Sequence, residues 1–424
     1  MSQFALGIDI GTSGVRAALL DAEGNVVGMA AAAMSDHASD FGAGSSGWQR
    51  DPAVWRATLA AALAELGRSH DLGAVAAVAV DGTSGTVLAL DADDVPVGQA
   101  LMYNDAVADP AIPAAIAAHA PRESAAHGAA SALARAIELQ DRPGVARILH
   151  QADWIAGLIA GAPVPGDESN ALKTGYDPVA RAWPAWLAQT PLRTRLLPPI
   201  QPSGTQTGAA SGAFGLPIGA TLVAGVTDGC ASFLATGASD PGDGVTALGT
   251  TLTIKLLSPV PVFAPEFGVY SHRIGERWLA GGASNTGGGV LAAHFSAEQI
   301  AALSAQIDPA QDSGLDYYPL RAPGERFPIA DPGLAPRLTP RPAEDAAFLH
   351  GLLEGIARIE DLGYRRLAEH GAPPLRRLRS VGGGAANPVW TQMRLRLTGA
   401  EAAHAQSTEA AVGVARLALP HLDP

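Results

Sequence analysis

"FALGIDIGTSGVRAALLDAEGNVVGMAAAA", from Phe4 to Ala33, reads as strand, tight turn, strand, turn, strand. Gly11 to Gly14 and the Glu23-Gly24-Asn25 cluster supply the turns, and the apolar runs between them suit strands. A tight hairpin with two glycines exposes consecutive backbone N–H groups, and without a Cβ these can approach an anion closely. Thr12 and Ser13 add hydroxyl donors. Asp9, at the end of the preceding strand, is placed to bind Mg²⁺ through water. On these residues alone, an ordinary hairpin with a polar turn remains an equal description.

Two further stretches repeat the pattern. "DGTSGTVLALDADD" runs from Asp81 to Asp94, and "LGTTLTIKLL" from Leu248 to Leu257, with Gly249 and Thr250 in its turn. A fourth stretch, "SVGGGAANPVWTQMRLRLTG", reads as strand, glycine turn and helix. Gly383 and Gly384 let a flat ligand lie on the backbone, and the helix opening near Asn387 and Pro388 points its N–H groups outward. Trp390 could pack near a purine, or the glycines could serve packing only. Each half of the chain therefore opens on strand, Gly-Thr turn, strand and later carries helices. That suits two related α/β domains around a central cleft, 1–235 and 236–424.

Composition narrows the classes. The 424 residues are 47% apolar and 16% charged, enough for large cores and wrong for a disordered chain. A net charge of -13 without a basic run argues against nucleic-acid binding. A single cysteine, Cys230, fits a reducing compartment. No apolar run reaches the ~18 residues of a spanning helix, and strand-like sequence starts by Phe4. The expectation is a soluble cytoplasmic protein, without nucleic-acid or membrane partners, as monomer or homodimer. The histidines show no metal spacing.

"DIGTSGVRAALLD", "VTDG", "ALGTT" and "GGGAANPVWTQM" occur in the order found in the FGGY carbohydrate kinases, and the chain resembles that family from Leu6 to about Leu419. The resemblance implies two actin/hexokinase-like (ribonuclease H-like) domains and a sugar kinase using ATP and Mg²⁺. It implies that Gly11, Thr12, Ser13, Gly249 and Thr250 bind phosphates, that Gly383, Gly384, Asn387 and Trp390 flank the adenosine, and that Asp9 serves the metal. The P-loop pattern is absent, so this is the other phosphate-binding solution. In "AGVTDGCAS" the family's catalytic base falls on Asp228, although Asp-Gly is also a common turn dipeptide.

The middle turn resembles the D-ribulose kinase-like branch, as do "LMYNDAVAD", "HQADWIAG", "SNALKTGYDP" and "GGASNTGGGVL". The resemblance implies sugar contacts at Asp81 and Ser84, with Asp228 also at the sugar. Asn104 and Asp105 suit either a sugar contact or a plain turn. Val107 stands where the family carries a basic residue. Trp48 suits a sugar-pocket wall or a core edge. The implied reaction moves the γ-phosphate of ATP to a terminal hydroxyl of a ketopentose, D-ribulose first. D-xylulose or another ketose or polyol is the alternative, and an actin- or chaperone-like ATPase a more distant one.

Overall fold

The structure is a computed structural model and describes residues 3–41 and 47–422. The chain forms two units. One holds the residues up to Ala235, the segment His272–Gly275 and the chain from Glu409 onward; the other holds Thr236–Ser271 and Glu276–Thr408.

In the first unit, β1 (Phe4–Ile10), β2 (Gly14–Leu20) and β3 (Val26–Ala33) form an antiparallel meander. β4 (Val75–Gly82) lies parallel to the far side of β1, and strand Thr221–Thr227 lies parallel to β4. Gln206–Ala209 closes the six-stranded sheet at the edge opposite β3. β1 and β4 are buried on both faces, which explains their nearly continuous apolar sequence. Helix Pro52–Gly67 starts as its sequence dictates: Asp51 accepts a hydrogen bond from the Ala53 N–H at 2.9 Å, and Pro52 takes the first turn. Its Trp55, Leu59, Leu63 and Leu66 enter the core under the meander, and Trp48 packs at the edge of that core. "ILHQADWIAGLIAG" divides into the end of a short strand, Arg147–His150, and a helix, Gln151–Ala160.

The second unit repeats the arrangement. Strands 277–284, 252–258, 243–248, 377–381 and 401–402 lie side by side in that order. The first three pair antiparallel and the last three parallel. The long helix Asp345–Glu369 buries Phe348, Leu352, Ile356 and Ile359 along one stripe, as its periodicity indicates. Gly371 follows it with φ +101°.

The chain from Glu409 onward packs with the first unit. Helix Ala410–Ala418 lies against β1 and helix Asp228–Ala235 at glycine contacts. A Cβ on Gly7 would sit 1.9 Å from the Ala411 carbonyl oxygen, and one on Gly413 would sit 1.8 Å from that of Ala231. Glu409 takes the N-cap position of this helix and makes no side-chain cap bond.

Candidate active site

The parallel strands of the first unit end together. Ile10 of β1 pairs with Gly82 of β4, and Gly82 pairs with Thr227. Gly11, Thr83 and Asp228 therefore leave the sheet side by side, at the carboxyl ends where open α/β sheets bind ligands. Gly225 lets the third strand come this close, because a Cβ there would lie 1.8 Å from the Val80 carbonyl oxygen.

Three carboxylates gather there. Asp9 pairs in register with Asp81 on one side and with Arg16 on the other, and Arg16 Nη1 lies 3.3 Å from its Oδ2. Burial raises the Asp9 carboxyl above the usual range, while Asp81 and Arg16 pull it back. Asp81 is 0% exposed, and neither of its oxygens has a hydrogen-bond partner among the described residues. Burial first, then the neighbouring Asp9, pushes it well above the ordinary carboxylate range. Two ionised carboxylates offer each other no donor, so one proton or one cation between them relieves the pair. The sugar contact expected of Asp81 is closed off in this arrangement, because its carboxylate faces Asp9 beneath the surface.

Asp228 opens helix Asp228–Ala235, and its Oδ1 accepts the Gly229 N–H at 2.7 Å. Its Oδ2 has no partner among the described residues. Cys230, two positions on, is wholly buried with Ser169 Oγ at 3.5 Å from its sulfur, so it is a packed thiol.

The turn after β1 leaves Thr12 and Ser13 exposed, with no hydrogen bond to either hydroxyl among the described residues. Only the backbone is tied, through Gly11 N–H to Gly14 O at 3.0 Å and Met34 N–H to Ser13 O at 2.9 Å. The turn after β4 is held tightly. Thr83 donates its N–H at 3.1 Å and its hydroxyl at 2.8 Å to Gln151 Oε1. Ser84 is half-buried, and its hydroxyl has no partner among the described residues. Asn104 is exposed. Asp105 is already engaged: Arg50 forks onto both its oxygens at 2.5 and 2.6 Å, and the Met102 N–H reaches one of them at 2.8 Å. Its carboxylate is turn structure. Val107 is buried in an apolar cluster with Ile116 and Ala126, so no basic side chain stands there.

Mg²⁺ usually takes one or two carboxylates and completes its shell with water and phosphate. Among the described residues no three acidic, His or Cys side chains are placed to hold a metal ion by themselves. The Asp9–Asp81 pair, with its unpartnered buried oxygens beside the open turn 11–13, fits that mode of binding.

The second unit holds a cavity of about 1060 Å³. Gly249 and Thr250 line it, as do Gly383, Gly384, Asn387 and Trp390. Asn387 caps the helix Pro388–Thr398 through the Trp390 N–H at 3.1 Å, and its amide donates to Ser304 Oγ at 2.8 Å. Trp390 is 1% exposed and its indole N–H donates to the Leu353 carbonyl at 3.0 Å. The two shape the cavity wall more than they offer free polar groups.

Sequence reasoning assigned no role to Gly288, Gly289 or Arg321, which also line this cavity. The Gly288 N–H donates to Gly249 O at 2.8 Å and the Gly289 N–H to Thr250 O at 3.0 Å, so the second glycine run braces the Gly-Thr turn. A Cβ on Gly288 would come within 2.8 Å of the Gly249 carbonyl oxygen. The signal was available as "TGGGV", a second triple glycine. Arg321 is the one charged residue lining the cavity, and it has no ion pair among the described residues. A lone arginine in a loop gives no such signal.

Two family models match the chain: "FGGY family of carbohydrate kinases, N-terminal domain" over residues 4–115, and the C-terminal domain of the same family over residues 244–420. Among solved structures, xylulose kinase from Rhodospirillum rubrum is 23% identical with a TM-score of 0.82, covering 98% of this chain and 89% of that one. Glycerol kinase from Plasmodium falciparum, solved with ADP, is 15% identical at a TM-score of 0.82, covering 99% and 90%. Gluconate kinase from Lactobacillus acidophilus is 15% identical at 0.80, covering 99% and 89%. At these identities the likeness establishes the shared fold.

Proposed function

We propose that this chain, which belongs to the FGGY family of carbohydrate kinases, transfers the γ-phosphate of ATP to a terminal hydroxyl of an open-chain ketopentose, with D-ribulose the first candidate. The observation that carries the reading is the shared edge of Gly11, Thr83 and Asp228. It supports a phosphate-binding turn, an acceptor-binding turn and a base leaving three neighbouring strands together.

Asp228 takes the proton of the attacking hydroxyl through its free Oδ2. Ser84 and Asn104 offer hydrogen bonds to the acceptor. Thr12 and Ser13 offer their hydroxyls to phosphate oxygens, and Gly249 and Thr250 border the phosphates in the cavity of the second unit. The triple-glycine turn with Gly383 and Gly384 borders the adenosine, with Asn387 and Trp390 shaping the wall. Arg321 adds the cation that an otherwise uncharged cavity lacks, and its planar fork matches phosphate geometry. Asp9, with Asp81 behind it, holds Mg²⁺, which neutralises phosphate charge when bound.

The choice of D-ribulose rests on the likeness of the segments around Gly82, Asn104 and Gln151 to one branch of the family. ADP release measured with D-ribulose, D-xylulose, L-ribulose, ribitol and glycerol side by side tests it. The expected result is the highest kcat/KM with D-ribulose. Preference for D-xylulose or glycerol would reassign the substrate, and ATP hydrolysis indifferent to every sugar would overturn the kinase reading.

A further inference from the structure

Arg135 is 1% exposed, inside the first unit, and forms no ion pair among the described residues. Burying a guanidinium without a counter-ion is costly unless its donors are satisfied. Here they are spent on backbone carbonyls. Nε and Nη2 both donate to Gly85 O, at 3.1 and 2.7 Å. Nη1 reaches Tyr103 O at 3.1 Å, Asp105 O at 2.9 Å and Ala130 O at 2.8 Å.

Three of these four carbonyls, those of Gly85, Tyr103 and Asp105, come from the two turns that carry the open acceptor-facing groups; the fourth, that of Ala130, precedes the helix of Arg135 itself. One turn bears Ser84 and the other bears Asn104. Gly85 is shaped to the guanidinium: its φ is +90°, and a Cβ there would lie 2.9 Å from Nη2. Gln151 clamps the other end of the same turn through Thr83. Burial draws Arg135 down to about 10, which leaves it charged at neutral pH.

We propose that Arg135 is a positioning residue that sets the spacing of the two acceptor turns, and through them the choice among open-chain ketoses and polyols, without touching the substrate. A hydrocarbon could fill the volume but could not tie four carbonyls, and lysine carries its donors at one point. The inference rests on the acceptor site proposed above.

The test is Arg135→Lys in the full chain, with steady-state kinetics for both substrates. The sugar KM rises about tenfold or more, the ATP KM stays within about twofold, and the ratio of kcat/KM between D-ribulose and D-xylulose changes by about fivefold. Gly85→Ala, which pushes the guanidinium away while keeping it, shifts the same quantities in the same direction and serves if the lysine variant does not fold. Leu63→Ala, buried in helix Pro52–Gly67 away from both turns, lowers Tm without moving the sugar KM. A sugar KM within about twofold of wild type in both turn variants overturns the proposal, as does an equal shift in Leu63→Ala. Wild-type protein that no sugar stimulates sinks the kinase reading and this inference together, whereas a sugar-stimulated wild type with unshifted variants sinks only the inference.

Discussion

In the turn Gly11–Gly14 both hydroxyl residues are exposed and unbonded, and only the backbone is tied. In the turn Gly82–Gly85 Thr83 is 4% exposed and bonded to Gln151, Gly85 is bonded to Arg135, and Ser84 alone is left open. The two turns share the residues Gly-Thr-Ser-Gly and leave neighbouring parallel strands. The difference comes from what covers them. Beyond the first turn the chain returns as a hairpin, and the two hydroxyls gain no partner among the described residues. Beyond the second it builds the helices Ala132–Leu139 and Gln151–Ala160, which supply Arg135 and Gln151. An uncovered turn is free to take an outside anion, and a covered one has its hydrogen bonds committed to holding a shape.

The largest expected effect lies between the two turns. Asp228→Asn should leave both binding turns intact and remove the base, lowering kcat by about 10² or more with each KM within a few fold. A kcat within about threefold of wild type would remove Asp228 from the chemistry. The turns themselves should then separate by readout. Thr83→Val removes the hydroxyl bond to Gln151 Oε1, which keeps only the backbone N–H of residue 83, and should cost about 1 kcal/mol of stability, read in chemical denaturation. Thr12→Ala with Ser13→Ala should leave the denaturation midpoint in place and raise the ATP KM about tenfold. If the double variant unfolds early and Thr83→Val does not, the comparison is reversed. Arg321→Ala should raise the ATP KM by a similar factor and leave the sugar KM alone, placing a phosphate contact in the cavity of the second unit.

The acids behind the turns give the smallest signal, in Tm against pH. Burial and Asp9 hold the Asp81 carboxyl well above 3.8 in the folded protein. A group raised in this way stabilises the fold fully at pH below its unfolded value and loses that contribution as pH rises through its folded value. Wild-type Tm should therefore fall across that window, and Asp81→Asn should flatten the fall. Glu168, pushed up to about 7 by burial against a partial offset from Arg181, adds a fall of the same sign between pH 4.5 and about 7. Glu168→Gln should flatten that portion only. A wild-type Tm that rises across the window would contradict both assignments.

Alternation, turn residues and caps were enough to read the first meander, the hairpin at Gly249, helix Pro52–Gly67 and the long helix at Asp345, because those signals are local. The return of the C-terminal helix was not legible. Its fit depends on Gly7 and Gly413 meeting backbone atoms far away in sequence. The order of motifs carried the family. The repeated tetrapeptide, taken alone, could not say which copy was open.

By itself the sequence determined the two repeated α/β units, the placing of three glycine turns at strand ends, and an Asp at position 228 directly after a strand. Those follow from neighbours along the chain. Only the tertiary structure decided that Asp81 is sealed against Asp9, that Asp105 belongs to Arg50, that Trp390 is committed to a carbonyl, and that Arg135 holds two turns at once. Each of these turns on which groups burial brings together, and hydrogen bonds across 30 to 70 positions leave no periodic trace in the chain.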